Sequence, residues 1–194
     1  MDLWTAKAKL YRRFRNRSIF GRILKKENEN LRLLLDAIPQ NPQKIIDLGC
    51  GDGNAVHILK EYFPKAQISG LDYNYEMIKN IERDENIHPA LGDVSMLPLK
   101  SNVFDVCTAV GLTEYLQDYN LFFTNLKYIL KNGAYAIITF APKNILTSLR
   151  RIHQIKIYAF DENKFKEITN RMGFIIIHKK TSIMQIQYLL KRDN

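Results

Sequence analysis

The stretch Lys44-Ile45-Ile46-Asp47-Leu48-Gly49-Cys50-Gly51-Asp52-Gly53-Asn54 constrains the fold of this chain more than any other. A short apolar strand runs into an acid and three glycines at alternate positions, and the helix-forming segment 55–62 follows. Glycines at alternate positions remove β-carbons, so the backbone can turn tightly and approach a ligand closely. The turn opens onto a helix N-terminus, whose first N–H groups have no intrahelical partner. A strand, loop and helix in this order is how α/β proteins hold a nucleotide-like ligand.

The glycine spacing separates two kinds of ligand. A dinucleotide loop reads G-x-G-x-x-G, whereas Gly49, Gly51 and Gly53 are spaced by two and preceded by Asp47. Downstream, residues 66–72 read as a second strand ending in Asp72, nineteen positions after Gly53. An acid there can accept both hydroxyls of a ribose. Asp72 can equally serve as N-cap of a helix expected over 75–83, a task shared with Asn74. Tyr73 could lie flat against an adenine. Ala90-Leu91-Gly92-Asp93-Val94 and Val103-Phe104-Asp105-Val106-Cys107-Thr108-Ala109-Val110-Gly111 then supply a third and a fourth strand.

The D-x-G-x-G-x-G pattern resembles motif I of the class I S-adenosylmethionine-dependent methyltransferases, in their small-molecule (type 11/25-like) branch. The Gly92-Asp93 pair and the Phe104-Asp105-Val106 segment are similar to later motifs of that family, so the likeness runs from Lys44 to about Phe140. The resemblance implies S-adenosylmethionine as cofactor and no metal. It implies a cofactor site of Asp47, Gly49, Cys50, Gly51, Gly53, Asp72, Tyr73, Gly92, Asp93, Val94 and Val110, with Asp93 facing the adenine amino group. The implied fold is a Rossmann-like doubly wound α/β sheet of seven strands, mostly parallel, with the last strand antiparallel.

The remaining pattern agrees. Residues 113–131 read as a helix ended by Asn132-Gly133, and 134–140 as a continuously apolar, centrally buried strand. A long connection covers 141–159. A helix over 161–172, begun by Asp161 and ended by Gly173, precedes strands 174–178 and 184–190, with 191–194 expected to fray. At 194 residues the chain suits one methyltransferase-type domain, 39–194, preceded by a basic helical cap, 1–38. Leu31, Leu34, Leu35 and Ile38 suit a helix packed on the sheet ahead of the first strand. No apolar run reaches the roughly 18 residues that cross a bilayer, and no signal core opens the chain. Cys50 and Cys107 lack metal-ligand spacing and suit reduced thiols, so the expected location is cytoplasmic, with a peripheral membrane position as a variant.

From Leu3 to Lys26 there are nine basic residues and no acid, which accounts for nearly all of the net charge of +9. Interleaved apolar side chains suggest one or two helices, broken near Gly21. Such a segment can cap the site, lie on an anionic membrane surface or follow a nucleic-acid backbone. The first of these is the plainest.

The family's fourth strand often ends Leu-x-Glu-His, whereas this chain has Leu112-Thr113-Glu114-Tyr115. A histidine base is therefore absent from that position, and Tyr115 could orient an acceptor, shield the methyl group, or simply begin a helix. His153, with Arg150 and Arg151 beside it, lies in the long connection, and Tyr11 in the basic segment; both are candidate substrate-side residues. His57 suits a helix surface, His88 the connection before the third strand, and His178 a structural place. The expected reaction is methyl transfer to a small, amphiphilic or anionic molecule. Nucleic-acid methylation and a non-catalytic cofactor-binding role are the alternatives. The Asn/Asp-Pro-Pro-Tyr/Phe motif of exocyclic-amine chemistry is missing after the fourth strand, which argues against adenine N6 as the target.

Overall fold

The computed structural model describes residues 18–39, 41–97, 99–144, 147–148, 157–158 and 161–193. Helix α1 spans Ser18–Leu35. The chain then alternates β1 (Lys44–Leu48), α2 (Asn54–Tyr62), β2 (Gln67–Asp72), α3 (Tyr75–Ile78), β3 (Ile87–Leu91) and β4 (Phe104–Ala109). A 3-10 turn at Thr113–Tyr115 leads to α4 (Tyr119–Ile129) and β5 (Leu130–Phe140). Finally come α5 (Glu162–Arg171), β6 (Phe174–Thr181) and β7 (Ile186–Arg192).

The seven strands form one sheet in the order β3-β2-β1-β4-β5-β7-β6. Pairings from β3 to β5 are parallel, and β7 enters antiparallel between β5 and β6. Period-two alternation divides the side chains between two layers. Ile45, Ile68, Val106, Ile137 and Leu189 meet α1, α2 and α3 on one face, where Leu31, Leu34, Leu35 and Ile38 are buried. Burial of each such side chain is worth about 1.5–3 kcal/mol. Ile46, Cys107, Ala136, Ile138 and Leu190 meet α4 and α5 on the other. The order reverses between β1 and β4, and in such sheets ligands bind beyond the carboxyl ends of the strands at that switch.

Several sequence expectations shift. The helix expected over 75–83 ends at Ile78, because Ile81 turns inward, 4% exposed, to pack beneath Gly53. The single helix expected over 113–131 is divided. Leu116 is extended, and Asp118 begins a fresh helix by accepting the Leu121 N–H at 3.0 Å. Asn132-Gly133 does not end that helix but lies inside β5, where the register against β4 is irregular and Gly133 has φ 73°. His88 and Pro89 belong to β3 itself, whose position at the sheet edge tolerates a residue without an N–H.

At the C-terminus, Lys191 and Arg192 continue β7. The Arg192 guanidinium donates to Lys127 O and to Asn102 Oδ1, each at 2.8 Å, and to Leu130 O, which pins the end of α4. Gly21 lies within α1 without a break, since an isolated helical glycine costs only about 1 kcal/mol.

Candidate active site

The loop after β1 is built by backbone hydrogen bonds. Gly49 N and Cys50 N both donate to Leu71 O, at 2.7 and 3.0 Å, tying the loop to β2. Gly53 N closes a turn on Cys50 O at 2.9 Å. Gly49, Gly51 and Gly53 all hold left-handed conformations, with φ of 68°, 54° and 89°. Gly53 is the N-cap of α2 and no side chain caps that end.

At Gly49 the conformation and the space both demand glycine, since a β-carbon there would stand 2.9 Å from Leu112 Cδ1. The missing side chain therefore admits a neighbour from the loop after β4, and not only a ligand. Gly92 has a similar packing reason, with Leu71 Cδ1 at 2.7 Å from where its β-carbon would be.

Two carboxyl groups flank this loop. Asp47, 2% exposed, shares its face of β1 with Ile45 and accepts the Thr108 hydroxyl at 2.6 Å. Burial pushes its pKa up to about 7, the Thr108 hydrogen bond pulls the other way, and nearby Asp72 adds to the rise. Asp72 closes β2 at 9% exposure. Its Oδ2 accepts Gly51 N and its Oδ1 accepts Asn74 N, both at 2.9 Å. Burial raises its pKa, opposed by backbone N–H groups of Asn74, Gly51 and Tyr73. With three N–H donors on the carboxylate, acceptor capacity remains for a ligand hydroxyl. The N-cap of α3 is Asn74, whose side chain accepts Glu76 N, so Asp72 does not hold that position.

The other expected cofactor residues gather on the same side. Tyr73, 52% exposed, follows Asp72, and Gly92 N donates to Asp72 O at 2.9 Å. Asp93 accepts Ser95 N and Ser95 Oγ through Oδ1, at 2.8 and 2.7 Å. Val94 is half-buried against the α4 layer and Val110 against the α2 layer. Cys50 and Cys107 are buried free thiols, and burial pushes both well above the ordinary thiol range. Neither is a thiolate at neutral pH.

On the opposite side of the crevice, Gly111 N donates to Thr139 Oγ1 at 2.7 Å, linking the end of β4 to β5. Thr113 and Glu114 of the 3-10 turn are buried, and Glu114 O accepts Tyr158 N at 2.7 Å. Tyr115 is half-buried against Ala141 and Ile157. Tyr11, Arg150, Arg151 and His153 lie outside the described residues. His57 and His178 are exposed, and the His88 ring contacts Gln67 Oε1 at 2.6 Å on the sheet edge. Among the described residues, no group of three or more His, Cys, Asp or Glu could hold a metal ion.

Sequence reasoning named Asn74 as a shared cap but gave no role to Thr108, Leu112 and Thr139. Thr108 had a visible signal, a hydroxyl within the apolar run Val106 to Val110. Thr139 had the same signal in β5. Nothing local marks Leu112 as the side chain that fills Gly49.

The model of the family described as "Methyltransferase domain" matches residues 46–138, which holds the glycine loop, both carboxyl groups and β4. Residues 46–138 are a methyltransferase domain, and this match, with the relatives and solved structures below, supports a class I S-adenosylmethionine-dependent methyltransferase. The chain is 27% identical over 106 residues to the malonyl-[acyl-carrier protein] O-methyltransferase of Legionella pneumophila, covering 52% of this chain and 37% of that protein. It is 28% identical over 127 residues to the demethylmenaquinone methyltransferase of Thermotoga maritima, covering 64% and 54%. The chain thus spans about half or less of the length of these relatives. Among solved structures, a chain in the complex between the Haloferax volcanii Trm112 methyltransferase activator and a methyltransferase superposes with a TM-score of 0.79. That match covers 100% of this methyltransferase-family chain and 99% of the other, at 16% identity, and shows the shared fold.

Proposed function

We propose that the protein transfers a methyl group from S-adenosylmethionine to a small acidic or amphiphilic acceptor. The observation that carries this reading is the left-handed glycine loop, bracketed by the carboxyl groups of Asp47 and Asp72 at the switch point of the sheet. The residues fit the cofactor. Three glycines leave open backbone at the N-terminus of α2, suited to a carboxylate. Asp47 offers a buried acid to an ammonium group. Asp72 retains acceptor capacity for a ribose hydroxyl beside the backbone N–H groups it already accepts. Tyr73, Gly92, Asp93 and Val94 suit the adenine, while Cys50 and Val110 complete the floor.

When bound, the cofactor supplies a methyl group on a positively charged sulfur, already a strong electrophile. The protein's task is then alignment of acceptor, methyl and sulfur, and proximity of this kind supplies roughly 7–11 kcal/mol. An acceptor that carries no proton, such as a carboxylate, needs no protein base. Tyr115, in the 3-10 turn after β4, orients the acceptor, with Tyr11 and His153 as further candidates. Support for the acceptor class comes from the relatives, whose names specify an acyl-carrier-bound malonyl group and demethylmenaquinone. Exposed Arg22, Lys25 and Lys26 on α1 add positive charge within two helical turns of the residue that touches α2. No described helix is long and apolar enough to cross a membrane, and the two free thiols suit a cytoplasmic protein.

The test is transfer of a radiolabelled methyl group into cell extract, fractionated into lipid, nucleic acid, protein and soluble metabolites. Label in the lipid or metabolite fraction, lost with Asp72→Ala, is expected. Label confined to nucleic acid would overturn the acceptor class, and no label despite cofactor binding would overturn the enzymatic reading.

A further inference from the structure

Helix α1 meets the residue that follows the glycine loop through a side-chain amide pair. Asn54 is the first residue of α2, directly after Gly53. Its amide meets that of Asn28 in a reciprocal pair, with Asn54 Nδ2 donating to Asn28 Oδ1 at 2.9 Å and Asn28 Nδ2 donating to Asn54 Oδ1 at 3.3 Å. Both groups are partly buried, so each bond is shielded from competing water.

Asn28 is itself held on a firm base. The adjacent Glu27, 8% exposed, accepts the Ser182 hydroxyl at Oε1 (3.1 Å), and its carbonyl accepts the Gln187 amide at 3.0 Å. Below it, Leu31, Leu34 and Leu35 are buried in the core. A second contact between the helices lies at the far end of α2, where Arg32 meets Glu61 at 2.6 Å with both side chains substantially exposed. The Asn28–Asn54 pair lies at the end of α2 that adjoins the loop.

We propose that Asn28 is a positioning residue for the cofactor loop, acting through Asn54, so that docking of α1 and cofactor binding are coupled. The inference rests on the cofactor reading above. No side chain caps α2 at Gly53, which leaves its first turn without the usual anchor. The Asn28 amide ties that turn down from another element by holding the side chain of its first residue. Coupling of this kind is reciprocal: a loop held by α1 binds the cofactor more tightly, and a bound cofactor holds α1 more firmly.

The experiment is calorimetric titration with S-adenosylhomocysteine, paired with amide hydrogen exchange on the full chain. Asn28→Ala and Asn54→Ala are each expected to weaken binding about 3- to 10-fold, the range of one or two neutral hydrogen bonds. The double variant should bind no more weakly than the weaker single one. Glu61→Gln, which loosens α1 at its exposed far contact, should stay within about twofold of the parent. Ligand should slow exchange over residues 22–34 in the parent protein, and over 49–60 alone in Asn28→Ala. Affinities equal to that of the parent in the asparagine variants would overturn the proposal, as would ligand protection of α1 that survives Asn28→Ala. Absence of binding to the parent protein would remove the cofactor reading and the inference with it.

Discussion

Replacement of Asp47 by Asn tests the electrostatics of the site without reference to any substrate. In the cofactor-free protein, burial raises the Asp47 pKa from 3.8 to about 7, so the folded state holds a proton that the unfolded chain releases. Where the folded state binds more protons, stability falls as pH rises. The loss begins near the unfolded pKa, accumulates through the folded pKa, and is complete above it. A rise of about 3 pK units corresponds to about 4 kcal/mol at full ionisation. Asn keeps an oxygen for the Thr108 hydroxyl, at 2.6 Å from Oδ1 in the parent, and removes the titration. The expected result of urea unfolding is similar stability of the two proteins near pH 4, where the loss has only begun. By pH 8 Asp47→Asn should be the more stable, by an amount approaching that figure. Groups common to both proteins cancel in the difference. A stability difference that stays flat between pH 5 and 8 would refute the picture of a buried, protonated Asp47. The same variant should bind S-adenosylhomocysteine more weakly, which sets function against stability at one residue.

Asp72→Ala should weaken S-adenosylhomocysteine binding by about 1.5–3 kcal/mol in calorimetry, the scale of hydrogen bonds to a charged group; unchanged affinity would remove the ribose assignment. Gly49→Ala, at φ 68° and with Leu112 Cδ1 at 2.9 Å, should cost at least the roughly 1–2 kcal/mol of left-handed strain in thermal unfolding. Combining it with Leu112→Ala should relieve the clash but not the strain, so the pair should be non-additive. Arg192→Ala should lower stability by about 1–3 kcal/mol in urea, since it leaves Lys127 O and Leu130 O without their guanidinium donor. No change would mean that the C-terminal residues of β7 contribute nothing.

Much of the fold was legible because its signals are local. The β1 strand, the glycine loop and the start of α2 are contiguous, and the tight turn expected of the glycines is made with all three in the left-handed conformation. Asp161 and Gly173 bound α5 as their residue types imply, Asp161 accepting Asn163 N and Gly173 at φ 76°. Departures from expectation have non-local causes. Residues 79–83 have helical composition, yet Ile81 is drawn beneath Gly53, and packing outweighs a weak local preference. Residues 113–131 have a helical apolar pattern, but Asp118 offers an N-cap in mid-segment. Lys191 and Arg192 look like a polar tail until the carbonyls that Arg192 reaches are brought beside it, 62 and 65 positions away.

The sequence by itself determined the alternation of strands and helices, the cofactor loop and the acid at the end of β2. Each follows from backbone conformation, periodicity or spacing within a few dozen residues. Tertiary structure alone decided which side chains serve those parts. Thr108 meets Asp47 across 61 positions, Leu112 fills the space that Gly49 leaves, and Asn28 takes hold of Asn54. Such contacts form only when parallel pairing sets β4 beside β1 and when burial of a leucine face lays α1 along α2. A hydroxyl or an amide in sequence carries no mark of its partner, because its free energy depends on who stands opposite it once water has been excluded.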